Sequence, residues 1–199
     1  MTPEDINRYR LILASGSPRR QQLLEGLGLR FEGTGGADVE ENHPEGLTRE
    51  EIPAILAELK SAHAMEGIPP DTILITADTI VWHRDRVLGK PADRSQAEDI
   101  LRELSGSVHE VLTGVCLRSI HRKKVFTSSS LVWFANLTED EIRYYLEKFR
   151  PFDKAGAYGI QEWIGFAGVS RIEGSHFNVM GLPVQELYSE LKALVAGGL

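Results

Sequence analysis

The 199-residue chain has a single cysteine, Cys116, which excludes an intramolecular disulfide framework and any multi-cysteine metal site. That cysteine lies in the apolar run VLTGVCL, where a core thiol is expected rather than a nucleophile. Neither His109 nor His121 has a partner histidine at metal-binding spacing, and both are expected to be structural or surface residues. No Ser-His-Asp or Cys-His arrangement favours acyl transfer. No apolar run approaches membrane-spanning length. The start MTPEDINRYR carries acids and no hydrophobic segment, so it does not read as a signal peptide. These absences lead us to expect a soluble, cytoplasmic protein. Basic residues number 22 against 29 acidic ones, and the resulting charge of −7 argues against a general nucleic-acid binder. A small anionic ligand stays compatible, because only its site must be positive. Repeats, low-complexity tracts and long linkers are missing too. A chain of this length buries roughly 70% of its unfolded surface, so it needs no staple.

What is present concentrates in three stretches. The first, residues 11–27, reads LILASGSPRRQQLLEGL. An apolar run suits a short buried strand, Ser15-Gly16 breaks it, and Ser17 and Pro18 stand where a helix N-cap and first helical position belong. Leu23, Leu24 and Leu27 recur at helical spacing, with Gly28 as the stop. A helix N-terminus attracts anions, and Arg19 and Arg20 add two guanidinium groups suited to phosphate. An ordinary strand–helix corner with two solvated arginines reads equally well. The second stretch is TILITADTIVWHRDRVLGKP. Asp78 stands between two apolar runs, 73–76 and 80–82, where a carboxylate is costly unless paired or bound to a cation. Residues 83–86 read as a hairpin turn, and Gly89 and Pro91 fix the backbone on both sides of Lys90. The third stretch is FDKAGAYGIQEW, where glycines bracket Ala157-Tyr158 and permit close backbone approach to a ligand.

Between these stretches, residues 29–31 are expected to form a short strand and 33–36 a glycine-rich loop, followed by Asp38, Glu40 and Glu41. Acids in such a loop ordinarily sit in water, the alternative being oxygen ligation of a hard divalent cation. Capping boxes are read at Thr48–Glu51, Ser95–Glu98 and Thr138–Glu141. The first opens a helix to about Met65 with Ile52, Ile55, Leu56 and Leu59 as its stripe; Lys60 beside it reads as a solvated helix lysine. Strands are expected over 109–120, 125–135 and 166–172, and a last helix buries Leu187, Leu191 and Leu194. This order of elements predicts a single α/β domain over 1–199 with a mixed sheet. Lys60, Lys90, Lys154, the cationic helix start and the few carboxylates together describe a polyphosphate site with a divalent metal.

The blocks LASGSPRRQQLL, ITADTIV, LGKP, LRELSGSVHEVLTG, DKAGAYGIQ and NVMGLP strongly resemble the Maf family of nucleoside triphosphate pyrophosphatases, in order and over nearly the whole chain. The resemblance implies an elongated α/β fold related to inosine triphosphatase-like proteins, a twisted mixed sheet with flanking helices and two lobes around a nucleotide cleft. It implies hydrolysis of a nucleoside triphosphate to the monophosphate and pyrophosphate with magnesium or manganese. Dimers are usual in that family. The DKAGAYGIQ block resembles the branch acting on dTTP and UTP rather than the one acting on 7-methyl-GTP. Carried over by motif position, Asp78 matches the proton acceptor. Arg19, Thr79 and Gln161 match positions associated with substrate choice, Lys60 and Lys90 match phosphate contacts, and Glu40 a metal ligand beside Asp78. After Gln161 the family usually has glycine, whereas this chain has Glu162-Trp163. A nucleotide-binding regulator of cell division without turnover is the alternative from another class, and retention of Asp78 favours catalysis.

Overall fold

The computed structural model describes residues 1–36 and 46–198. In chain order the elements are α1 (Pro3–Ile6), β1 (Arg10–Ala14), α2 (Pro18–Gly26), β2 (Glu32–Thr34), α3 (Glu51–Ala64), β3 (Thr72–His83), β4 (Arg86–Leu88), α4 (Arg94–Leu104), β5 (Val108–Arg118), β6 (Lys123–Phe134), α5 (Glu139–Phe149), α6 (Trp163–Ala167), β7 (Val169–Glu173), α7 (His176–Met180) and α8 (Val184–Ala196). The strands form one seven-stranded mixed sheet in the order β2-β1-β3-β5-β6-β7, with β4 pairing with β3. The chain divides into two compact units, one of Met1–Asp78, Thr113–Ser128 and Gly181–Leu199, the other of Thr79–Leu112 and Ser129–Met180. Among the described residues no helix is long and apolar enough to cross a membrane.

In the first unit, β1 pairs in parallel with both β2 and β3. Strands buried on both faces read as unbroken apolar runs, and Leu11, Leu13, Ile73, Leu74 and Ile75 are essentially inaccessible. The chain leaves β1 through α2 to reach β2 on one side, then passes through α3 to β3 on the other. In open α/β sheets such a reversal leaves a crevice at the carboxyl end of the central strand. Helix α3 buries Ile52, Pro53, Leu56, Ala57 and Ser61. Leu59, assigned to that stripe from spacing, is exposed instead. A side chain at Gly114 of β5 would come within 2.2 Å of the Pro53 backbone, so this contact requires glycine. At the Thr48 box, Glu51 accepts from the Thr48 N–H (2.8 Å) and hydroxyl (2.9 Å), while the cap position falls at Glu50. The strand expected at 29–31 lies at Glu32–Thr34. The Asn7 side chain takes up the Gly28 carbonyl and the Arg30 N–H, and the ladder begins only at Ile12 opposite Glu32. Cys116 is fully buried, and burial raises its thiol pKa above the ordinary value.

The second unit is built on a core of Val81, Ala97, Leu101, Leu104, Val132, Phe134, Ile142, Tyr145 and neighbours. Arg84 and Asp85, with φ of 48° and 61°, form the turn joining β3 to β4 in the paired left-handed geometry that suits a two-residue hairpin. The Thr138 box holds as read, with both reciprocal bonds formed. The Ser95 box does not. Asp93 is the cap, extended and accepting from the Gln96 N–H at 2.8 Å, so Ser95 falls inside the first turn. Phe166, expected in a strand, lies in α6 and is 84% exposed. Burial there recurs at Ile164 and Gly168, a helical interval, and the strand starts only at Val169.

Candidate active site

In the first unit the parallel ladder pairs Leu13 with Ile75, so the turn after β1 and the Asp78 region of β3 leave the ladder at the same, carboxyl end. The two apolar runs flanking Asp78 form one continuous strand of 12 residues. A carboxylate survives inside it because Lys60 of α3 donates to Asp78 Oδ1, with the two side chains 16% and 8% exposed. Thr76, two residues earlier and therefore on the same strand face, donates its hydroxyl to the Ala57 carbonyl at 2.7 Å. This bond holds β3 against α3 three residues before Lys60. Spacing alone placed Lys60 in solvent; the tertiary packing makes it the partner of Asp78.

The two arginines of SPRR have different surroundings. Arg20 donates to the Gly181 carbonyl (2.8 Å) and the Ser15 hydroxyl (3.3 Å), tying the start of α2 to the NVMGLP block. Arg19 is half-buried and has no side-chain partner among the described residues. Ser15 Oγ also accepts from the Ser17 N–H (3.3 Å), which shapes the turn before the helix.

In the second unit, Thr79 is the next residue of β3 and half-buried, while Lys90 is exposed. Lys90 borders a concavity of about 310 Å³ beside β4 and α4. Its loop is joined to the glycine-rich loop by a bond from the Gly156 N–H to the Gly89 carbonyl (3.2 Å). Gly156 has φ +70°, and a Cβ there would meet Val81 at 2.9 Å, so this approach demands glycine. Gln161 follows, and its Oε1 is buried without a hydrogen-bond partner among the described residues. A buried carbonyl oxygen left unpaired is costly, which makes it a natural acceptor for a ligand N–H.

Lys154 departs from the expectation that it is a free phosphate cation. Its side chain is 10% exposed and pairs with Asp153 (2.8 Å) and Glu162 (3.2 Å), so its charge is answered within the unit. Glu162 also accepts from the Tyr145 hydroxyl, which in turn accepts the Gly159 N–H at 3.0 Å. His109 is structural as expected: Nε2 meets the Tyr158 hydroxyl at 2.8 Å, and burial pushes the imidazole down to about 3. The hydrogen-bonding roles of the Thr76, Tyr145 and Ser15 hydroxyls escaped the sequence reading, which took Ser15 only as a strand break and Tyr145 only as part of an inward helical stripe. Glu162 was visible only as a departure from the family pattern.

The structure therefore joins Lys60 to Asp78 at the carboxyl end of the parallel ladder, and the Lys90 loop to the loop leading to Gln161. Glu40, with Asp38 and Glu41, lies outside the described residues. Among the described residues no group of three or more histidine, cysteine or acidic side chains gathers to hold a metal. One enclosed carboxylate does fit a hard cation that takes most of its oxygens from a substrate polyphosphate and water, as magnesium does.

Among solved structures, the fold is similar to that of a HAM1 protein from Coxiella burnetii, with a TM-score of 0.51, 14% identity, and coverage of 94% of this chain and 100% of that one. Curated relatives are nearer. A protein of Bacteroides fragilis named dTTP/UTP pyrophosphatase is 52% identical over 190 residues, covering 96% of this chain and 98% of its own. Proteins of the same name from Porphyromonas gingivalis and Flavobacterium johnsoniae are 51% and 46% identical, covering 95% and 98% of this chain and 96% and 100% of theirs. The Maf family model, described as Maf-like protein, matches residues 10–194, and the chain belongs to that family.

Proposed function

We propose that this protein is a nucleoside triphosphate pyrophosphatase that hydrolyses dTTP and UTP to the monophosphate and pyrophosphate. The observation that carries the chemistry is the enclosed Lys60–Asp78 pair at the carboxyl end of β3's parallel ladder. The substrate reading is supported by near-full-length likeness to relatives named dTTP/UTP pyrophosphatase and by the Gln161 oxygen, which is unpartnered among the described residues.

In this reading Asp78 orients a water and accepts its proton as the oxygen bonds to the α-phosphorus. The bond from that phosphorus to the bridging oxygen breaks, and pyrophosphate leaves. Lys60 holds the carboxylate in one orientation and, with Lys90 and Arg19, offers positive charge to the phosphates. A fixed cation placed where negative charge develops is worth more in a partly dry site than in water. Asp78 and Glu40 are the residues we assign to a divalent metal, magnesium or manganese. When bound, such an ion neutralises phosphate charge and makes phosphorus more electrophilic. Gln161 reads the base: its oxygen accepts the N3–H of uracil or thymine and its amide N–H₂ donates to a neighbouring carbonyl. Arg19 and Thr79 join it in substrate choice. We take residues 1–199 to act as one catalytic domain on the cytoplasmic nucleotide pool.

Release of pyrophosphate by purified protein from dTTP, UTP, CTP, GTP and 7-methyl-GTP tests the reading. Preference for dTTP and UTP is expected. Binding without release would make the protein a nucleotide-binding regulator, and preference for 7-methyl-GTP would overturn the branch.

A further inference from the structure

We propose that Glu162 is a positioning residue that clamps the loop 154–161 and thereby sets the orientation of Gln161; this rests on the reading of Gln161 as the group that reads the base. The loop is not self-supporting. Gly156 and Ala157 both have positive φ, 70° and 57°, and only three residues near its start, Ala155–Ala157, form a short 3₁₀ turn. Its shape is held from outside: the Gly156–Gly89 bond and the buried Tyr158 against His109 fix its middle, and the two oxygens of one carboxylate fix its ends.

Oε1 of Glu162 pairs with Lys154 at 3.2 Å, joining the loop's first residue to the residue just past its last. Oε2 accepts the hydroxyl proton of Tyr145, a side chain wholly buried in α5. The same hydroxyl oxygen accepts the Gly159 N–H at 3.0 Å, so donors and acceptors balance with one proton on the tyrosine. The Glu162 N–H closes the turn on the Gly159 carbonyl at 3.0 Å. Lys154 and Glu162 are 10% and 19% exposed, so the pair lies where screening is weak and a hydrogen-bond chain is strengthened. Gln161 sits between Gly159 and Glu162, two points held by this chain, while its own Oε1 has no partner among the described residues. Glu162 touches no reacting atom in this scheme. It fixes where the reading oxygen stands.

Glu162→Gln keeps the shape and removes the ion pair. In intact protein it is expected to lower kcat/KM for UTP by roughly tenfold, mainly through KM, while changing GTP by less than about twofold. In a Gln161→Ala background the same change should leave the UTP-to-GTP ratio where it was. Backbone amide exchange of Gly159, followed by NMR without nucleotide, should quicken in Glu162→Gln. Tyr145→Phe should do the same, and it carries the comparison if Glu162→Gln does not fold. Equal losses on UTP and GTP, or a further fall in the ratio without Gln161, would overturn the positioning role. An unchanged ratio in Gln161→Ala alone sinks the base-reading assignment instead. The clamp is then judged on Gly159: faster exchange supports it and unchanged exchange overturns it.

Discussion

Replacing Asp78 by asparagine preserves volume and removes one charge from an enclosed pair. The Asp78 and Lys60 side chains are 8% and 16% exposed, so the lysine left behind is largely cut off from water. Breaking a buried pair by removing one partner costs about 3–5 kcal/mol. The flexible stem of Lys60 lets its ammonium swing toward solvent, which brings the expected loss to about 2–3 kcal/mol. In a chain of this size that is about 4–12 °C in Tm. Loss of a general base lowers turnover by about 10²–10⁴-fold. The two effects separate in the double variant Lys60→Met/Asp78→Asn, which has no orphaned cation. Most of the stability should return there, and none of the activity. Urea unfolding gives the first quantity and pyrophosphate release from UTP at saturating metal the second. Turnover within tenfold of wild type in Asp78→Asn would refute the catalytic role. An unchanged unfolding midpoint would refute the pair as a stabilising contact.

Gln161→Ala should cost about 1–3 kcal/mol, or roughly 5–150-fold in kcat/KM for UTP, with a much smaller loss on GTP. Uniform losses across a nucleotide panel would remove its role in reading the base. Exhaustive chelation should abolish hydrolysis and magnesium or manganese restore it, since Asp78 and Glu40, the residues proposed to hold the metal, offer carboxylate oxygens. Full turnover in a verified metal-free sample would count against this. His109 is held at about 3 against an ordinary 6.5, so below about 6.5 the unfolded chain takes up a proton that the native state refuses. This contribution makes stability fall as pH drops through that window, by up to about 1.4 kcal/mol per unit. His109→Phe should flatten that part of the slope between pH 7 and 4.5 in urea titrations; an unchanged slope would show that other groups carry it.

Local pattern determined much of this protein. The apolar run of β1, Pro18 opening α2, the Arg84-Asp85 hairpin and the Thr138 capping box depend on residues within a few positions of one another, and each stands where its spacing put it. The family motifs likewise named Asp78, Lys60, Lys90 and Gln161 before any geometry. Where two local signals competed, the chain's next contact decided. Asp93 displaced Ser95 as a cap, and Asn7 held back the start of β2. Charge partnership was not legible, because it joins residues remote in sequence. Lys60 is 18 positions from Asp78, so packing of α3 on β3 turns a helix-edge lysine into the counter-charge of an enclosed carboxylate. Lys154, by contrast, reads as a free cation until Glu162 and Asp153 close on it. Helical and strand periods report which face is apolar; only the folded chain decides which charged ends meet on the polar one.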